Sequence, residues 1–157
     1  MEEYRLYTMI NWYLSPIQQG IQSAHIVHEL FTKYENYIKT NSEDTPKEIL
    51  YDWANNHKTM IVLNGGANHD IIDKQQLINF NSCGLPYAHF CEDSYSLGNV
   101  MTGVGVVIPN RYYDAKISYN DAYVFSEVCD GDSEIIYRKG TYSWNLINMI
   151  KSCGLAK

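Results

Sequence analysis

Residues 15–30 read Ser-Pro-Ile-Gln-Gln-Gly-Ile-Gln-Ser-Ala-His-Ile-Val-His-Glu-Leu and gather hydrogen-bonding side chains at a helix start. Ser15 is placed to cap exposed N–H groups and Pro16 fits the first helical turn. Gln18, Gln19 and Gln22 then follow, with His25 one turn further on. Unpaired amides at a helix start that follows a strand favour a polar or anionic ligand. This start carries amides and an imidazole but no lysine or arginine, which argues against a long polyanion. These glutamines read either as a solvated helix face or as binding groups, and a Gln amide, offering donor and acceptor together, suits the edge of a nucleobase better than a bare phosphate. Ser15 serves as the cap or touches the ligand through its hydroxyl. His25 reads as a satisfied structural group, as a phosphate donor or base-stacking group, or as a general base oriented by Asp93. His28 shares the stripe of Ile21, Ala24 and Phe31 and reads as core or core-edge packing.

The second polar group is Glu92-Asp93, at the end of a strand. Asp93 is either a turn former or an acceptor for a nucleobase N–H or a ribose hydroxyl. Asn99 and Thr102 flank the same edge. Tyr95, Tyr112 and Tyr113 fall in expected loops, where a purine could stack on them; such stacking is worth about 1–3 kcal/mol per base. Arg111 is the cation beside this stretch and reads either as an ordinary surface arginine or as the group that meets a phosphate. The four cysteines form no Cys-x-x-Cys pair and the five histidines are scattered, so neither a metal site nor a redox motif is expected.

The bulk properties narrow the classes. The chain has 157 residues, a net charge of −6 and a pI near 5.2. That length is one ordinary domain able to bury its own core. Extended RNA or DNA binding needs a basic footprint, and the longest basic cluster here is Arg138-Lys139. No apolar run reaches membrane-spanning length, and the start Met-Glu-Glu-Tyr-Arg lacks the build of a signal peptide. The expectation is a cytoplasmic protein without a membrane partner.

The elements that must position these residues alternate. Residues 4–14 read as a strand, and helical spacing of Ile21, Ala24, Val27/His28 and Phe31 carries a helix to about Tyr37. A polar loop to Pro46 precedes a short helix over 47–55. The apolar run 58–63 reads as a central strand covered on both faces. After Gly65-Gly66 a helix is predicted over 70–80, then a turn at Cys83-Gly84-Leu85-Pro86 and a buried strand over 100–108. Two glycines in that strand imply close approach by a neighbour or ligand. An insert at about 110–140 holds short strands at 122–127 and 134–137 around Asp130-Gly131-Asp132. A terminal helix closes the chain at about 141–153. The sum is one α/β domain over 1–157.

Gln22-Ser23-Ala24-His25, Trp53 with the 58–63 strand, Gly84-Leu85-Pro86, Glu92-Asp93 and Met101-Thr102-Gly103-Val104 occur in the order found in peptidyl-tRNA hydrolase 2, which residues 5–109 resemble. The resemblance implies a single three-layer domain, with a mixed, mainly four-stranded sheet and helices on both faces. It departs where the hydrolase carries glycine and lysines before the helix: Ile17, Gln18 and Gln19 stand there. Asp93-Ser94-Tyr95-Ser96-Leu97 also lacks the hydrolase's arginine and threonine, so His25 and Asp93 alone remain of the proposed catalytic set. Gly20-Ile21-Gln22-x-x-His25, Glu92-Asp93 with Gly98-Asn99 and Thr102, and the closing Ser152-Cys153-Gly154-Leu155-Ala156 resemble more closely the phage anti-CBASS protein 4 family. That resemblance implies a homotetramer in the host cytoplasm that sequesters cyclic dinucleotides such as 3',3'-cGAMP without cleaving them, with no cofactor. Ser15, Gln18, Gln19, Gln22, His25, Asp93, Tyr95, Asn99, Thr102 and Arg111 are the expected ligand residues. Two other functions remain open: a peptidyl-tRNA hydrolase using His25 and Asp93, and a protein–protein inhibitor that presents the tyrosine-rich insert.

Overall fold

The computed structural model describes residues 2–37, 45–95, 98–117, 123–127 and 134–156. Strand β1 (Tyr4–Asn11) leads into helix α1 (Pro16–Tyr34). Helix α2 (Pro46–Asp52) continues as a π-helical turn, Trp53–His57, before β2 (Met60–Gly66). Helix α3 (Asn68–Asn81) precedes β3 (Tyr87–Cys91) and β4 (Met101–Pro109). Then come α4 (Asn110–Tyr113), β5 (Lys116–Ile117), β6 (Tyr123–Glu127), β7 (Glu134–Arg138) and α5 (Tyr142–Ser152). The expected turn at 130–132 and most of the loop before Pro46 lie outside the described residues.

Four strands form one mixed sheet in the order β2-β1-β4-β3. β1 and β2 run parallel, with Leu6 opposite Met60, which requires the α1–α2 crossover between them. β4 is antiparallel to both β1 and β3. The insert makes a sheet of its own, β5-β6-β7, all antiparallel.

Helix α1 covers one face of the main sheet and α3 with α5 the other. On the α1 face the strand glycines decide how close the helix lies. A Cβ on Gly103 would stand 2.9 Å from Ile26 Cδ1, and one on Gly105 would stand 2.7 Å from Ile26 Cγ2. The close neighbour expected from those glycines is therefore Ile26 of α1. Leu6, Ile10, Ile26 and Leu30 bury fully here. On the opposite face Gly65 admits Ile71 of α3, and Asn145 of α5 donates to Asn81 of α3 at 3.0 Å.

Three expectations need correction. The buried stripe of α1 is Gln19, Gln22, Ser23, Ile26, Leu30 and Tyr34, whereas Ile21, Ala24 and His28 are exposed. Apolar periodicity chose the wrong face because polar side chains on the true face are hydrogen-bonded inside: Ser23 to Thr8 at 2.9 Å, and Gln19 to the Leu14 carbonyl at 2.8 Å. His28, expected in the core or at its edge, lies instead beside Glu29 at 3.9 Å on the surface. Strand β2 is an edge of the four-stranded sheet, not a central strand. Its outer side is taken by the segment after α5: Asn64 N–H donates to the Gly154 carbonyl at 2.8 Å and Ala156 N–H to the Val62 carbonyl at 3.1 Å. That cover explains why an edge strand can be so apolar. Among the described residues, no helix is long and apolar enough to cross a membrane.

Candidate functional site

One edge of the main sheet collects most of the expected residues. Here the parallel strands β1 and β2 end, α1 and α3 begin, β3 ends and β4 starts. The carboxyl ends of parallel strands are where α/β proteins most often take ligands.

Ser15 and Gln18 cap each other. Ser15 Oγ accepts from Gln18 N–H at 3.3 Å, and Gln18 Oε1 accepts from Ser15 N–H at 3.1 Å. This capping box makes Ser15 the cap, one of its two readings, and occupies the Gln18 side-chain oxygen that a ligand would need. Gln19 and Gln22 are each only 6% exposed. Gln22 Nε2 donates to the Glu92 carboxylate, while Gln22 Oε1 accepts from the Thr102 hydroxyl at 2.9 Å. One buried amide thus ties α1 to the end of β3 and the start of β4. Thr102 reaches it through a register shift between Phe90 and Cys91, where β4 carries an extra residue and Gly103 still faces α1.

The surface members form a second group. His25 is exposed, and its ring stacks on Phe90 with centroids 4.3 Å apart and planes within 6°. No hydrogen bond among the described residues orients that ring. Asp93 Oδ1 accepts from Tyr95 N–H at 2.9 Å, and its carbonyl accepts from Asn99 N–H at 3.3 Å. Asn99 sits at φ 64°, a left-handed conformation that asparagine tolerates. Tyr95 projects outward, 97% exposed.

Arg111 is not at this edge. It follows β4 at the opposite end, about 30 Å along a nine-residue strand, and pairs with Glu2. Tyr112 is buried with its hydroxyl 2.7 Å from Ser143 Oγ, and Tyr113 lies under the Arg5 guanidinium at 4.1 Å. Neither is a loop residue; both belong to α4.

The structure adds residues that the sequence reading passed over. Strand β1 stops at Asn11, so Trp12 and Tyr13 leave the sheet and pack against each other, ring centroids 4.1 Å apart and planes tilted by 30°. Trp12 is 52% exposed and Tyr13 71%. Asn11, buried, accepts from Tyr13 N–H at 2.9 Å and donates to Asn68 at the start of α3. Asparagine followed by two aromatics before Ser-Pro was the available signal, since asparagine marks turns. Ile17 and Ile21 of α1 are also exposed nearby along the chain.

The electrostatics are one-sided. Residues 11–32, 64–73 and 87–110 contain no lysine or arginine but hold Glu29, Asp70, Asp73, Glu92 and Asp93. Asp70 closes the start of α3 by accepting from Ala67 N–H at 2.9 Å. Among the described residues of these segments the edge therefore offers aromatic surface, carboxylates and amides, with no lysine or arginine to clamp a phosphate. Among the described residues, no group of three or more His, Cys, Asp or Glu side chains is placed to hold a metal ion. No family model matches the chain, and no curated protein matches it significantly.

Proposed function

We propose that this protein captures a cyclic di- or oligonucleotide signal of bacterial antiphage defence and withholds it without cleaving it. The observation that carries this reading is the exposed Trp12–Tyr13 ring pair beside chain segments, 11–32, 64–73 and 87–110, that carry no lysine or arginine. Aromatic faces hold bases of any identity, whereas phosphate-led binding of a long nucleic acid needs cations. The sheet order and the strand–helix sequence from β1 to β4 support a peptidyl-tRNA hydrolase 2-like fold, in line with the resemblance in the sequence.

Hydrolysis is the weaker reading. A general base needs an orienting partner, and the His25 ring is held by Phe90 instead. Magnitudes also favour an assembly. Two stacked bases supply about 2–6 kcal/mol, while a nanomolar sponge needs about 12 kcal/mol. A second copy closing over the ligand would provide the rest, and the exposed Ile17 and Ile21 supply apolar surface for that contact. A homotetramer with ligand between subunits satisfies this requirement. Incubation with 3',3'-cGAMP followed by heat release and mass spectrometry tests the reading. The expected result is stoichiometric capture and intact ligand; absence of binding across a panel of cyclic nucleotides, or release of peptide from peptidyl-tRNA at enzymatic rates, refutes it.

A further inference from the structure

A cleft of about 240 Å³ lies between the main sheet and α5, on the face turned away from α1. Its sheet wall is Tyr7, Ile61, Leu63 and Ile108, and its helix wall is Ile147 and Ile150. The volume exceeds the roughly 150 Å³ that admits benzene in an apolar protein cavity. Leu155, in the segment pinned to β2, stands at the cleft with its side chain 69% exposed. That segment forms one side of the cleft and is held there by few backbone bonds.

Polar groups gather at one end. Lys151 lines the cleft and donates to the Tyr113 carbonyl at 3.2 Å, which leaves two of its three ammonium hydrogens. The Tyr113 hydroxyl is buried with no hydrogen-bond partner among the described residues. Charges here balance. Arg5 is opposed by Glu3 at 3.8 Å, and the Asp114 carboxylate is near enough to act on both the Tyr113 phenol and the Lys151 ammonium. An apolar cleft with spare donors and no net charge suits an uncharged ligand with one acceptor.

We infer that this cleft is a second binding site, separate from the aromatic edge, for a small uncharged ligand of about one ring that carries a single hydrogen-bond acceptor. The acceptor meets Lys151, and the ring lies between Ile147 and the sheet. This site is independent of nucleotide capture at the edge.

Titration of the full chain with 4-methylphenol, toluene and 4-methylbenzoate, followed by amide NMR, tests it. The phenol should bind saturably and shift Tyr7, Ile147 and Leu155. Toluene should bind more weakly by about tenfold or more for want of one hydrogen bond to a charged donor, and the benzoate more weakly than the phenol because the Asp114 carboxylate acts on Lys151 and disfavours a second anion beside it. Lys151→Met should bring the phenol down to the level of toluene. Leu155→Trp, a change at an exposed position that leaves the core intact, should plug the mouth and weaken all three ligands; Trp12→Ala should change none of them. No saturable binding at millimolar phenol, tightest binding of the benzoate, or shifts confined to Trp12 and Tyr13 would overturn the proposal.

Discussion

The two ends of the main sheet are built from similar residue types and treated in opposite ways. At the Arg111 end, cations and aromatics are locked together: Arg111 pairs with Glu2, Arg5 lies over Tyr113, and Asn110 N–H donates to the Glu3 carbonyl at 2.8 Å. At the Trp12 end the segments 11–32, 64–73 and 87–110 bring no lysine or arginine, and Trp12, Tyr13 and Tyr95 face solvent. Aromatic surface left uncovered is available for a ligand; aromatic surface under a guanidinium is already used. The edge is held by polar brackets beneath its surface, and these free the residues above it for binding.

The largest effect should come from breaking the bracket. Gln22→Leu strands the buried Thr102 hydroxyl, at a cost of about 1–3 kcal/mol, and leaves the half-buried Glu92 carboxylate to solvent. Urea unfolding should show a midpoint lowered accordingly with an unchanged slope. A loss below about 0.5 kcal/mol, the ordinary spread of surface substitutions, would mean the bracket is not structural.

Next in size is an alkaline transition in the half of the molecule away from the edge. Burial pushes the Tyr34 phenol from 10.0 up to about 12, and its hydroxyl lies 3.3 Å from the Tyr87 carbonyl. The folded chain holds the neutral phenol, so this contribution is complete below pH 10.0 and is lost as pH rises toward 12. At about 1.4 kcal/mol for each pH unit, the loss over that window is about 2 kcal/mol once screening by nearby solvent is allowed for. Tyr34→Phe should flatten the stability profile across the same window, and an unchanged profile would show that another tyrosine carries it.

The smallest effect belongs to the locked end. Arg111→Ala removes a partly exposed ion pair, worth roughly 0.2–1 kcal/mol, and should leave nucleotide binding unchanged. Reduced binding in that variant would erase the contrast between the two ends.

Much of this architecture was legible in the sequence. The terminal helix, the buried glycine-bearing strand and the Ser15 cap followed from local chemistry that the fold does not override. The face of α1 was not legible, because Gln19, Gln22 and Ser23 bury through partners up to 80 residues away in the chain. The placement of Arg111 failed for a related reason: nearness along β4 is distance in space when the strand spans the sheet. Trp12 and Tyr13 were absorbed into an over-long strand, since aromatics favour strands until a turn residue such as Asn11 ends one.

The decisive measurement is calorimetric titration of the wild type and of Trp12→Ala with 3',3'-cGAMP, each at low and high salt. If the aromatic edge holds the ligand, the substitution weakens binding roughly 10- to 100-fold, the loss of one base stack. Salt dependence should be shallow and the unfolding midpoint unchanged. Equal affinity in both proteins, or a steep salt dependence that reveals a phosphate clamp, would show that the Trp12–Tyr13 pair is not the ligand's platform.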